Sequence, residues 1–398
     1  MSLVKRVKEL ENEFVGYRRR IHQNPELGFE EHETCRLIEK VLWDLGIETR
    51  RNGDKTGVIG LLKGALPGEK VIALRADMDA LKLTEDTGLE FASTKSGVCH
   101  ACGHDMHVAV LLGAAKILAE YKADLKGTVK FLFQPAEEVM NGSDSMIENG
   151  AMENPTVDYI LATHTWPEMP AGSIGVRKGA MLGSADKFTV TITGKGVHAA
   201  HPHKGIDPIV VGAYIITELQ TIVSRRVAPI DAAVVSIGHL TAGTVSNIIP
   251  TECFMEGTVR TQDPETRKKV AEYLENIITH TALAMGATAK LEYEWGVPPT
   301  MCDPFVVDNI SEAVTELLGS DKLLQVPVPS MGAEDFARYL EHAPGAFFRI
   351  GTADERPETR GALQNPQTLF SEKAIPAGVI AMVGTVFKLT DSDLSKLK

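Results

Sequence analysis

Residues 99–121 read CHACGHDMHVAVLLGAAKILAEY. The first nine carry six side chains able to ligate a metal: Cys99, His100, Cys102, His104, Asp105 and His107. The remainder is an apolar helical pattern. Ligand-type residues at a loop-to-helix junction fit a site outside the carboxyl ends of parallel strands. The surrounding sequence supplies such strands. VIGLLK (58–63), VIALRA (71–76), VKFLFQ (129–134) and YILATH (159–164) are short apolar runs of the kind buried in a covered sheet. Helical patterns lie over 3–21, with Leu3, Val7, Leu10 and Phe14 on one stripe, and over roughly 30–45. Strands alternating with helices predict an α/β domain with a mixed, largely parallel sheet between helices.

The pattern changes near Gly183. DKFTVTITGKG begins an alternating strand at 186, followed by a helix at 207–225, strands near 232–239 and 252–260, a helix at 264–284 and a strand at 288–295. That order is the split β-α-β-β-α-β, ferredoxin-like pattern. Helical patterns then return at 305–318 and 333–341, with an apolar strand at 346–350. We therefore expect a larger domain of residues 1–183 and 296–398, and a smaller inserted α+β domain of residues 184–295.

The chain has 398 residues, 43% hydrophobic and 24% charged, with a formal charge of −12. An acidic balance argues against nucleic acid and anionic membranes, both of which call for a basic face. Five cysteines, an odd and sparse set, do not make a disulfide framework. MSLVKRVKELENEF lacks the apolar core of a signal peptide, and no apolar run is long enough to cross a bilayer. A cytoplasmic location is expected.

Four strand ends carry ligand-type residues: Asp77 and Asp79 after VIALRA, the CHACGHDMH segment, Glu137 and Glu138 after VKFLFQ, and His164 in THTW. Together they predict a mixed His/Cys/carboxylate metal centre. Adjacent carboxylates suit a division of labour, one holding metal and the other serving as general base. An aspartate at Asp77 or Asp79 could bind metal or orient a ligand histidine. Other readings stand beside these. The glutamate pair could be a solvated acidic turn, and Cys99–Cys102 a redox pair. His201 and His203 read as a surface loop, and Arg225 and Arg226 as a solvated helix end. Glu334 and Asp335 read as acidic residues favouring a helix dipole. Gly332 could let the backbone approach substrate.

LRADMDAL, HACGHDMH, QPAEE, THTW, the histidine-rich segment at 198–203, SNIIP, GTVR and GAEDF together resemble the aminoacylase/carboxypeptidase metallopeptidases. The amidohydrolase branch is the nearest in pattern: hippurate hydrolase, auxin–amino acid conjugate hydrolase and N-acetyldiaminopimelate deacetylase. The resemblance implies a zinc-peptidase-like catalytic domain holding two metals, with an inserted lid that often dimerises. It implies metal ligands at Cys102, His104, Glu138 and His164, a general base at Glu137, and a supporting carboxylate at Asp77. It also implies that His198 reaches the active site of a neighbouring subunit to stabilise the oxyanion. Asn247 and Arg260 match lid positions near the substrate. One ligand position departs from the pattern: Gln364 stands where a histidine is usual. Val197 replaces a glycine before the lid histidine.

The activity so implied is metal-dependent cleavage of the amide bond of N-acyl amino acids, giving a carboxylic acid and a free amino acid, with Glu137 as base on a water at the metal. Alternatives are a dipeptidase or carboxypeptidase using the same site, and a metal-poor scaffold without turnover. The expected cofactor is one or two divalent ions, manganese or zinc, with cobalt or nickel compatible with the donors. The expected partners are the small substrate and further copies of the chain, as a dimer or tetramer.

Overall fold

A computed structural model describes residues 1–398. The chain divides into two compact units. The first comprises Met1–Gly179, Met301–Val328 and Asp335–Lys398; the second comprises Ala180–Thr300 and Pro329–Glu334.

The first unit opens with α1 (Leu3–Gln23) and α2 (His32–Asp44). Ser2 caps α1 by accepting the Lys5 N–H, and Leu3, Val7, Phe14 and Ile21 form its buried stripe. There follow β1 (Glu48–Asn52), β2 (Lys55–Lys63), β3 (Leu66–Asp77), α3 (His104–Glu120) and β4 (Lys126–Gln134). Next come α4 (Gly142–Glu148), β5 (Tyr159–Pro170) and β6 (Ile174–Val176). The second unit contributes β7 (Ala185–Thr193), β8 (Val197–His198), α5 (Pro208–Thr221), β9 (Ala233–Ala242), β10 (Ile248–Ile249), β11 (Glu252–Thr261), α6 (Pro264–Ala284) and β12 (Thr288–Val297). The first unit resumes with α7 (Pro304–Leu317), β13 (Leu323–Gln325), β14 (Gly345–Ala353) and α8 (Ile375–Leu389).

An eight-stranded sheet in the order β1-β2-β4-β3-β5-β14-β6-β13 forms the spine of the first unit. The β4/β3, β3/β5, β5/β14 and β6/β13 pairs are parallel. The β1/β2, β2/β4 and β14/β6 pairs are antiparallel. The parallel centre is what positions the site. Asp77 pairs in register with Gln134, and Arg75 with Ala162, so β3, β4 and β5 present their carboxyl ends side by side. Against the sheet lie α3 and α8, with α1 packed on both, and α2 lies against β2. In α3 every residue from His104 to Ala115 is buried, so it has no solvated face. The same holds for α8, buried from Ala377 through Phe387. Its uniform apolarity leaves no periodic signal in the sequence.

The second unit is a four-stranded antiparallel sheet in the order β9-β11-β7-β12. Its core includes Phe188, Val190, Ile192, Ile215, Met255 and Leu274. The helix expected over 207–225 ends at Thr221 and continues as a π turn through Arg226.

Candidate metal centre

Each donor is placed by its own strand or helix end. Gly103, at φ +89°, turns the chain from the Cys102 carbonyl into α3. A Cβ there would stand 2.6 Å from Thr165 Oγ1, whose hydroxyl donates to the Cys102 carbonyl at 2.8 Å. Only glycine tolerates both the backbone angle and that approach. The turn brings Cys102 and His104 beside His164 of β5, with Cys102 Sγ 3.4 Å from His164 Nε2. His164 Nδ1 donates to the Thr165 carbonyl at 2.7 Å, which leaves the Nε2 lone pair facing the cluster. Burial depresses the His164 pKa to about 3, keeping the ring neutral.

The glutamates arrive on the turn after β4. Asp79 accepts the Glu137 N–H through Oδ1 and the Glu138 N–H through Oδ2, both at 3.0 Å. Glu31 accepts the N–H of Ala136 at 2.9 Å, while Ala136 sits at φ +54°. These contacts direct Glu137 and Glu138 toward His104, whose Nε2 lies 4.0 Å from Glu137 Oε2 and 3.8 Å from Glu138 Oε1. Burial lifts the Glu138 carboxyl to about 7. It also pushes the Cys102 thiol far up. For His104 burial opposes charge, but Asp77, Asp79 and Cys102 outweigh it and raise the pKa well above the ordinary imidazole range.

Three of the sequence candidates converge as one donor group, Cys102, His104 and His164; a second group contains His104, Glu137 and Glu138. These groups suit a cation. Nε2 of His104 and Oε1 of Glu138 are buried without a hydrogen-bond partner, while His104 Nδ1 lies 3.3 Å from Asp79 Oδ1. An unpaired buried polar atom costs about 1–3 kcal/mol, which a divalent ion at these donors would offset. Thiolate and imidazole are donors for zinc-like ions, and the carboxylates extend the range to manganese.

The other candidates of residues 99–107 face elsewhere. Asp105 accepts from Arg18 Nε at 3.0 Å and from His22 Nδ1 at 2.9 Å, tying α3 to α1. His107 Nε2 accepts the Thr165 N–H at 2.9 Å, so its Nδ1 carries the proton and donates to Asp77 at 2.5 Å. Asp77 thus supports His107, and it also accepts from Arg75 at 2.7 Å. Cys99 is buried and unpaired with any cysteine, and His100 is buried with neither nitrogen bonded. Gln364, on the exposed rim, reaches the cluster through its nitrogen: Nε2 donates to Glu138 Oε2 at 2.9 Å.

The reading of Asp335 as a helix-dipole carboxylate is overturned. Asp335 is fully buried and accepts from Arg75 Nη2, Gln134 Nε2 and the Ser143 N–H, all within 2.8–3.0 Å. The segment it opens, Asp335–Glu341, is a 3-10 helix. Nothing in the local sequence distinguishes a buried acceptor hub from a surface acid. Glu31 and Gly28 also lie against the glutamate turn, at Ala136, and no local sequence signal marks either.

In the second unit His198 and Asn247 are neighbours, because β8 pairs with β10 and the Ala199 N–H donates to the Asn247 carbonyl at 3.0 Å. Both are exposed, as is Gly332, while Arg260 is half-buried on β11. His201 and His203 are exposed on a 3-10 turn.

Comparison with known proteins agrees with this geometry. Residues 73–388 match the peptidase family M20/M25/M40. The N-acetyl-L-cysteine deacetylase of Bacillus subtilis is 42% identical over 386 residues, covering 96% of this chain and 90% of the relative. The hippurate hydrolase of Campylobacter jejuni is 41% identical over 378 residues, covering 94% and 96%. A crystal structure of a Bacillus subtilis protein, described as a dinuclear metal binding peptidase from the M20 family, superposes with a TM-score of 0.85 at 36% identity, covering 97% of this chain and all of that one. The chain belongs to peptidase family M20/M25/M40.

Proposed function

We propose that this chain is a metal-dependent amidohydrolase that cleaves N-acyl amino acids to a carboxylic acid and a free amino acid. The observation that carries this reading is the gathering of Cys102, His104, His164, Glu137 and Glu138 at the carboxyl ends of parallel strands, with His104 Nε2 and Glu138 Oε1 buried and without a hydrogen-bond partner. The relatives named as a deacetylase and a hippurate hydrolase support the substrate class.

One or two divalent ions held by Cys102, His104, Glu138 and His164 would supply Lewis acidity toward the amide carbonyl and make water more acidic. Zinc or manganese fits the donors, with cobalt or nickel acceptable substitutes. Glu137 takes a proton from the attacking water and returns it to the departing amine. Asp79 holds the Glu137 backbone, so the carboxylate is aimed before substrate arrives. Following the resemblance, we assign His198 to the oxyanion in the active site of a neighbouring subunit, and Asn247, Arg260 and Gly332 to substrate contact.

The edge strand β9 exposes Val234 and Leu240, and α5 exposes Ile209, Val210 and Tyr214. An apolar edge of this kind calls for a partner, and we assign it to a second copy of the chain. No helix is long and apolar enough to cross a membrane. Five buried, unpaired cysteines support a reducing, cytoplasmic setting.

The test is amino-acid release from N-acetyl, N-benzoyl and indole-acetyl amino acids, using chelated protein reloaded with each metal. Metal-dependent release from any of these is expected. Release from dipeptides alone would replace this reading with a peptidase, and no release from folded, metal-loaded protein would overturn it.

A further inference from the structure

Three donor groups include His104; in the one with Asp77 and His107 both His107 nitrogens are already bonded, which leaves two groups of unequal strength. Cys102, His104 and His164 are a thiolate and two imidazoles, a soft set that leaves a coordination position open. The second group, His104, Glu137 and Glu138, shares its only imidazole with the first. His107 cannot supply another, since Asp77 and Thr165 engage both of its nitrogens.

Gln364 stands at the second group. Its backbone is left-handed at φ +58°, and its N–H donates to the Ala101 carbonyl at 2.9 Å. Its side-chain Nε2 donates to Glu138 Oε2 at 2.9 Å. A carboxylate accepts only from the nitrogen end of an amide, so the acceptor fixes the amide's orientation. An amide nitrogen has no lone pair for a cation, and its N–H dipole turns a positive end toward the space beside Glu138. The hydrogen bond engages Glu138 Oε2 and leaves Oε1 as the one carboxylate oxygen that faces His104.

We infer that this chain holds one divalent ion firmly, at Cys102, His104 and His164, and that Gln364 makes the position beside Glu138 a weak second site. The inference rests on the metal-dependent reading above and deepens it. It separates this chain from the relative described as dinuclear.

The test counts ions without substrate. Protein reconstituted with zinc, and separately with cobalt, is dialysed against metal-free buffer, and metal per chain is measured by plasma mass spectrometry. Wild type is expected to retain one ion, with cobalt giving the thiolate charge-transfer band of a bound Cys102. Gln364→His, which places an imidazole beside Glu138, is expected to retain two and to tighten the second binding step by on the order of 10–100-fold in titration calorimetry. If circular dichroism shows that this variant does not fold, Gln364→Glu is read by the same count. Two ions retained by wild type, or a single ion in the folded variant, would overturn the inference. Because the count is independent of turnover, a silent N-acyl amino acid panel would leave it standing, and a wrong count would leave the hydrolase reading standing.

Discussion

Asp79 uses both carboxylate oxygens on one turn of chain, accepting the backbone N–H of Glu137 at 3.0 Å and of Glu138 at 3.0 Å. The proposed base and the neighbouring ligand are thereby held by a residue from a different strand end. Replacing Asp79 with alanine leaves two N–H groups without acceptors, each at a cost of about 1–3 kcal/mol where buried. Asp79→Ala should lower the melting temperature and reduce kcat by roughly 10–100-fold, the range typical of a lost supporting contact. Steady-state kinetics and thermal melts on the metal-loaded variant check this. An unchanged kcat would mean that the turn keeps its shape without Asp79.

Glu137→Gln preserves side-chain shape and removes the base. Its kcat should fall by roughly 10²–10⁴-fold, the usual contribution of general base catalysis. Metal content should stay at the wild-type value, because the proposed ligands of the firmly held ion are Cys102, His104 and His164. A variant keeping most of its rate would reassign the base.

Gly28 lies against the same turn, and a Cβ there would stand 3.0 Å from Ala136 Cα and 3.1 Å from its Cβ. The obstacle is backbone, so it cannot swing aside as a flexible side chain would. Gly28→Ala should cost about 1–3 kcal/mol, as overpacking does. It should also depress kcat by displacing Glu137. Denaturant unfolding and kinetics on one preparation test both effects, and an unperturbed kcat would detach Gly28 from the site.

His22 sits buried between Asp105 at 2.9 Å and Glu85 at 3.1 Å. Burial alone would lower its pKa; the two carboxylates outweigh that and Arg18, and raise it from 6.5 to about 9. The folded chain therefore keeps a proton that the unfolded chain releases above pH 6.5. Its stabilisation is complete below that pH and is lost as pH rises through about 9, amounting to about 3 kcal/mol at most. Wild type should lose melting temperature between pH 6.5 and 9, and His22→Gln should flatten that slope. Parallel slopes in the two proteins would exclude His22 as the cause.

The local signals were readable because they repeat or cluster. The apolar runs at 58–63, 71–76, 129–134 and 159–164 each lie within an observed strand, since a covered sheet requires continuous burial. The density of ligand-type residues at 99–107 pointed to the centre before any contact was known. Partner choice was beyond that reading. Cys102, His104 and His107 lie within six positions of one another, yet two face the cluster and one is bound to Asp77 and Thr165.

By itself the sequence determined the alternation of strands and helices, the acidic composition and the residue types of the centre, because these follow from local periodicity and donor chemistry. Only the tertiary structure decided how those residues are used. Asp335 became a buried acceptor for Arg75, 260 positions away, and Gln364 gave its amide to Glu138, 226 positions away. Such pairings depend on which strand ends the fold brings level and which polar atoms burial leaves in need of a partner. Both are properties of the whole chain, and neither is written in any short stretch of it.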